Sequence, residues 1–346
     1  MTCFRRTMAG AVMGAAAWLG LIGASPAKMP ARIGADHHLH LTSPQLAAAM
    51  KSACHLVNRE MPCEDVSTVR TAGSALDFLD REGADKGVLL SGAYLFAWSG
   101  LNIKSDRIEA LMHEENAFTV RQAEQSHGRL VPFIGVNAQG PEALREMAAW
   151  RADCRVRGIK LHVTNSGLDL LKPGDLDKLR RIFAEAARDR YAIVIHLRDR
   201  SPTYGAAQIA NFLEKVMPAA GNMTVQIAHI GSWGDLDETA VRSLTAFADW
   251  MDRHPGTYPN LKFDLAALAP AKDEKSAGAV ASQMRRLGIS RFLPGSDWPA
   301  LLGPGRYYAQ LRKALPLTAS EWASIERNEA PYLSHPRCEA GGRPLD

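Results

Sequence analysis

Ala192-Ile193-Val194-Ile195-His196 decides how this chain folds. Ile193, Val194 and Ile195 are β-branched, and the run stays apolar without alternation until it meets a histidine. Unbroken hydrophobicity over so short a stretch suits a strand buried on both faces, and parallel α/β sheets cover both faces with helices. The polar residue at the end marks where such a strand leaves the core. The same event recurs on either side. Val225-Gln226-Ile227-Ala228 runs into His229, Phe292-Leu293-Pro294-Gly295-Ser296 into Asp297, and Ile33-Gly34-Ala35 into Asp36-His37-His38-Leu39-His40. With Gly87–Leu90, Leu130–Val136, Gly158–Val163 and Leu261–Ala266, eight strand-like runs are present.

Helical patterns separate them. Leu176, Leu179, Ile182, Phe183 and Ala186 within Pro173–Arg188 repeat at spacings of three and four, the stripe of a helix packed on one side. Thr71–Arg81, Pro141–Trp150, Ala206–Met217, Asp237–Asp252, Ser276–Leu287 and Ser320–Arg327 follow the same rule, the last with Ser320 as its expected cap. Alternation of this kind predicts right-handed βαβ units closing into a (β/α)₈ TIM barrel. An open doubly wound sheet is disfavoured, because no Gly-rich phosphate loop follows the first strand. His55–Arg70 is long for a connection and reads as an insertion at the barrel mouth.

The chain ahead of the barrel has a different character. Arg5 and Arg6 precede an apolar, Ala/Gly-rich run from Met8 to Gly23, followed by Ala24-Ser25-Pro26-Ala27. This pattern predicts a signal peptide over residues 1–27, cleaved near Ala27, and a periplasmic or secreted barrel domain over residues 28–346. The run falls short of the roughly 20 residues of a membrane span, and no lasting anchor is expected after cleavage. At 46% apolar and 23% charged residues the chain is an ordinary globular one. Its formal charge of +4 falls by two once Arg5 and Arg6 leave, which offers no footprint for nucleic acid and points to a small-molecule partner. Oligomeric state is not legible. Cys54, Cys63, Cys154 and Cys338 remain after cleavage; of their three pairings Cys54–Cys63 closes the shortest loop.

Strand alternation puts Asp36, His38 and His40 on one face and His37 on the other. Two imidazoles so placed reach one metal ion together. His196, His229 and Asp297 end their strands in the same way, where a barrel keeps its active site. In these residues, with Gly158-Ile159-Lys160-Leu161-His162, Ala228-His229-Ile230-Gly231 and Gly295-Ser296-Asp297-Trp298-Pro299, the chain resembles the amidohydrolase superfamily, in its branch of amidohydrolase-related, metal-dependent barrels. The resemblance spans about residues 33–330. It implies that His38, His40, His196 and Asp297 ligate a divalent ion, one rather than two. His229 would sit beside the ion, as a second-metal ligand in two-metal members of the superfamily or for proton transfer or substrate contact in one-metal members.

Three imidazoles and a carboxylate suit Zn²⁺ and leave a position for water, whose pKa the ion lowers towards about 7. Asp297 is placed to take that proton. Lys160 has two readings: a carbamate bridging two metals, as in some members of the superfamily, or an ammonium contacting substrate. Arg198 is a candidate for a substrate carboxylate, with a surface position as the alternative, and Trp233 and Trp298 for the pocket walls. Asp36 is read as orienting a ligand or closing the barrel floor, and His37, His55, His113, His127, His254 and His335 as structural. The activity expected is hydrolysis of a small amide, lactone or ester. The alternative is metal-dependent decarboxylation, which an Arg198–carboxylate contact would favour.

Overall fold

The computed structural model describes residues 32–57, 63, 67–268, 274–300, 305–334 and 337. The expected signal peptide, with Cys338 and His335, lies outside the described residues.

Eight parallel strands form one sheet in sequential order: β1 (Ile33–Leu39), β2 (Ala84–Leu90), β3 (Leu130–Gly135), β4 (Gly158–His162), β5 (Ala192–His196), β6 (Val225–Ile227), β7 (Leu261–Asp264) and β8 (Phe292–Leu293). The sheet closes on itself through His37 N–H to Pro294 O at 2.9 Å, Asp297 N–H to His38 O at 2.8 Å and His40 N–H to Trp298 O at 2.7 Å. It is a single (β/α)₈ barrel. Val88, Leu90, Phe133, Val194, Ala228 and Leu293 fill its interior, and Tyr332 plugs the floor, donating to Gln226 Oε1 at 2.6 Å. Such filling makes the barrel a packed core, not a pore.

The helices follow the predicted pattern at α2 (Ala72–Glu82), α4 (Glu142–Ala149), α5 (Pro173–Arg188), α6 (Ala206–Asn211), α7 (Glu238–Arg253), α8 (Glu274–Leu287) and α10 (Ala319–Arg327). α2 ends at Gly83 in the left-handed region (φ 78°), where glycine carries no Cβ penalty. The cap of α10 is Thr318, not Ser320: its hydroxyl accepts Glu321 N–H while Glu321 answers the Thr318 N–H. Among the described residues three α-helices go beyond the sequence reading: α1 (Pro44–Val57), α3 (Ser105–Glu124) and α9 (Tyr307–Ala314). The stretch read as an insertion thus begins inside α1, and the Cys54–Cys63 disulfide ties that helix to the segment after it.

No helix of the described residues is long and apolar enough to cross a membrane. At the N-terminal end of the barrel lies a cavity of about 660 Å³, lined by Arg157, Tyr191, Thr224, Asn260, Tyr332 and Arg337. None of the strand-end histidines borders it.

Candidate metal centre and acid-binding mouth

The C-terminal ends of the strands converge on one cluster. β1 brings His38 and His40, whose Nε2 atoms stand 3.2 Å apart. Asp297, just past β8, places Oδ1 3.1 Å from His38 Nε2 and 3.3 Å from His40 Nε2. The far nitrogens show what these atoms are. His38 Nδ1–H donates to Asp264 Oδ2 at 2.9 Å and His40 Nδ1–H to the Leu90 carbonyl at 2.7 Å. Each neutral ring therefore turns a lone pair towards Asp297. Three acceptors facing one another need a positive charge between them. Two ligands about 2.0–2.2 Å from one ion stand about 3–3.5 Å apart, so the spacing and the donor set both fit a divalent metal.

His229, His38 and Asp297 offer ligand atoms that all lie within 4.8 Å of one another, making a candidate divalent-metal site. His229 Nδ1–H donates to Ala266 O at 3.1 Å, which leaves its Nε2 open as well. The ring of His196 lies 5.2 Å from that of His229, and its buried Nδ1 has no hydrogen-bond partner among the described residues. His196 and His40 stand outside the group of His38, His229 and Asp297 whose ligand atoms lie together.

The electrostatics run the same way. Burial pushes the imidazoles of His196 and His162 well below their ordinary value and that of His229 down to about 4, so all three stay neutral. Burial and Lys160 also press on His38, but Asp264 and Asp297 outweigh them and raise it. Asp297 is held well below the usual carboxylate range despite burial, chiefly by His229 and His38. The cluster thus holds a proton on His38 or a metal in its place.

Lys160, from β4, is 1% exposed, with its Nζ 3.2 Å from His38 Nε2 and burial lowering its pKa to about 8. Asp264 ends β7 and was not singled out from sequence, although an aspartate closing Leu261-Lys262-Phe263 is the same signal that marks Asp297. It accepts from His38 Nδ1–H, from Gln226 Nε2 at 2.6 Å and from the backbone N–H of His229 at 2.8 Å. Its carboxyl is driven far below the usual range by His38, in the face of complete burial. Asp36 accepts His38 N–H at 3.0 Å and Ser296 N–H at 3.1 Å, tying β1 to the loop that carries Asp297. His37 is a structural staple, pairing with Pro294 O and accepting Ala330 N–H at 3.2 Å.

Beyond the cluster the mouth turns aromatic and cationic. Arg198, two residues past His196, is 8% exposed, and its Nε and Nη1 have no hydrogen-bond partner among the described residues. Its guanidinium lies 5.2 Å from the Tyr204 ring and 5.4 Å from that of Trp233. Trp233, 43% exposed, also packs against His196 at 5.1 Å. Trp298 is a correction to the expected pocket wall: its indole stacks on Phe78 of α2 at 5.6 Å, in the layer between barrel and helices. His162 lies flat on His196, ring centroids 3.9 Å apart.

Comparison with known proteins adds to this geometry. A family described as Amidohydrolase matches residues 35–328. No curated protein matches the sequence. Among solved structures, the apo form of IDCase from Metarhizium anisopliae aligns with a TM-score of 0.59 at 15% identity, over 88% of this chain and 97% of that one. The 5-carboxyvanillate decarboxylase of Sphingomonas paucimobilis gives 0.60 at 14% identity, over 86% and 97%. The dihydroxybenzoic acid decarboxylase of Polaromonas sp. JS666, solved with bound manganese and an inhibitor, gives 0.57 at 12%, over 85% and 95%. At such identities the likeness is one of fold.

Proposed function

The chain belongs to the amidohydrolase family, and we propose that within it this enzyme is a metal-dependent, non-oxidative decarboxylase of a small aromatic or unsaturated carboxylic acid. The observation that carries the proposal is Arg198. A guanidinium 8% exposed, with two N–H-bearing nitrogens unpaired, is costly to hold unless an anion completes it. Its aromatic walls suit a flat partner. The reacting bond of an ester, amide or lactone brings no such anion of itself, and the solved structures with the same fold include decarboxylases. Together these correct the expectation of a hydrolase.

Decarboxylation exchanges a carbon–carboxylate bond for a carbon–hydrogen bond, so each CO₂ released requires one proton delivered to carbon. Asp297 and His229 are the groups in place to hold and pass it, both buried and both facing His38. A divalent ion bound by His38, His40, His196 and Asp297 would supply electrophilic stabilisation of charge developing on the substrate. Lys160 adds fixed positive charge at the same point. Asp264 fixes the tautomer and orientation of His38 and the backbone of His229 together. Zinc and manganese both suit the donor set.

The reading is tested by incubating the metal-reconstituted protein with a panel of hydroxybenzoates, their carboxylated homologues and unsaturated acids, following CO₂ release, beside a panel of esters and lactones. CO₂ release from at least one acid is expected. Turnover confined to esters or lactones overturns the proposal. Export, with cleavage near Ala27, is proposed on the sequence alone.

A further inference from the structure

His162 stands outside the expected ligand set, yet its tautomer is decided by the fold. Asn165 N–H donates to His162 Nδ1 at 3.3 Å. A neutral imidazole carries one proton, and an Nδ1 that accepts leaves that proton on Nε2. The ring is part-exposed at the mouth, and Nε2 has no hydrogen-bond partner among the described residues. It is held as a rigid plate, one face stacked on His196 at 3.9 Å and 13° and its other neighbour Tyr94 at 5.3 Å.

The placement relative to Arg198 is equally fixed. His162 and His196 are register partners across β4 and β5, Val163 N–H donates to His196 O at 2.9 Å, and Thr164 Oγ1 donates to Arg198 O at 2.5 Å. The two strand ends therefore leave the barrel locked side by side. One carries a neutral N–H donor and the other an unpaired guanidinium.

We propose that His162 is a specificity-determining residue whose Nε2–H donates to an oxygen acceptor on the bound acid, a hydroxyl or oxo group adjacent to the carboxylate that Arg198 holds. The choice of acid rests on the decarboxylase reading; the donor assignment rests on the His162–Asn165 bond. A general-base role is disfavoured by the same geometry, because the only lone pair of the neutral ring already faces Asn165. In an ortho-hydroxy acid the hydroxyl hydrogen turns to the carboxylate and leaves oxygen lone pairs outward, which is the acceptor such a donor reads.

The test compares 2-hydroxybenzoate with benzoate binding to the metal-loaded protein by calorimetry, with His162→Phe and His162→Gln. Phenylalanine keeps the plate against His196 and loses the donor; glutamine restores a donor. Wild type is expected to prefer 2-hydroxybenzoate, His162→Phe to lose about 3- to 10-fold of that preference, and His162→Gln to recover part of it. Nitrogen-15 NMR should show one ring, absent from His162→Gln, with Nε2 protonated and Nδ1 bare. Equal preference in His162→Phe and wild type overturns the proposal, as does a protonated Nδ1, an equal loss for both acids, or no binding of either. CO₂ release is scored separately. A preference that depends on His162 without CO₂ from any acid refutes the decarboxylase reading alone, and CO₂ release with an unaltered preference refutes only the role of His162.

Discussion

Replacing Arg198 with methionine separates a binding residue from a structural one, because the two roles move stability in opposite directions. Methionine matches the length of the side chain's apolar part and removes the guanidinium. What the folded protein loses is the pair of contacts with Tyr204 and Trp233, worth about 0.5–1 kcal/mol each where exposed and more when desolvated. What it is relieved of is a buried cation with Nε and Nη1 unpaired, a penalty of about 1–3 kcal/mol for each unsatisfied group. The balance is near zero or stabilising, so Arg198→Met should melt within about 2–4 °C of wild type or above it.

Binding goes the other way. A bidentate guanidinium–carboxylate contact is built from charge-assisted bonds of about 1.5–3 kcal/mol each. Losing it should cost about 2–4 kcal/mol of transition-state binding, or roughly 30- to 1000-fold in kcat/KM. The assay is CO₂ release on the acid that wild type turns over, with scanning calorimetry and metal analysis on the same preparation. If Arg198→Met loses several degrees of Tm, or keeps kcat/KM within about three-fold, the assignment of Arg198 as the acid's seat is wrong.

Other consequences are open to measurement. His38→Ala should strip most of the metal from protein purified without chelator, with mass spectrometric metal analysis as the check. Wild-type protein that holds no transition metal and gains no activity from zinc or manganese would refute the centre itself. Asp297→Asn should keep much of the metal but lose about 10²–10⁴-fold in activity per bound ion, since an amide coordinates weakly and passes no proton. Glu115 of α3, 1% exposed and hydrogen-bonded to Ser43 N–H at 3.3 Å, has its pKa raised by burial to about 7. Below the unfolded value near 4.5 both states are protonated; between there and 7 only the unfolded state ionises, so stability falls as pH rises. Glu115→Gln should remove about 2.5 kcal/mol of that fall between pH 5 and pH 8 in urea denaturation; equal slopes for the two proteins contradict it. N-terminal sequencing of the exported protein should begin near Lys28, and intact Met1 on periplasmic material would contradict the export reading.

Most of the barrel is legible because a parallel strand buried on both faces writes itself as an unbroken apolar run, and four of the runs here lead into polar residues that the fold must carry to the mouth. Less is legible where burial is one-sided and mixed. α3 contains Arg107, Glu109, His113, Glu114, Arg121 and Glu124, and buries Glu115 and Asn116 beside Met112 and Val120, so its apolar stripe is interrupted. Asn116 repays that by pairing with both the N–H and the carbonyl of Gly135, at 2.8 and 3.0 Å. Trp298 shows the converse error. Its place next to Asp297 suggests the pocket, but both residues lie in the loop past β8, Asp297 in the left-handed region at φ 68°, and the indole turns to Phe78. His162 is visible in sequence as a strand-end histidine, yet its tautomer depends on Asn165, which only the folded loop brings to Nδ1.

Asp264, which escapes the sequence reading, acts with Asp36, which does not, in holding the site. His229 and Asp297 both sit in the left-handed region, at φ 53° and 68°, with Ile230 at 50° and Ala267 at 56° in the same group of loops. Non-glycine residues there cost about 1 kcal/mol or more each and persist only where neighbours impose them. Two buried carboxylates do the imposing. Asp264 accepts the backbone N–H of His229 at 2.8 Å and of Ala266 at 3.2 Å, and Asp36 accepts those of His38 and Ser296. Each joins a histidine to the turn beside it, so the strained turns and the imidazoles are positioned by the same two groups. Metal centre and proton carriers are then one mechanical unit, and Asp264→Ala should damage both. Metal affinity should fall by about 10- to 100-fold, and activity per remaining ion should fall further because His229 is no longer aimed. Loss of affinity with full activity per bound metal would show that Asp264 serves His38 alone.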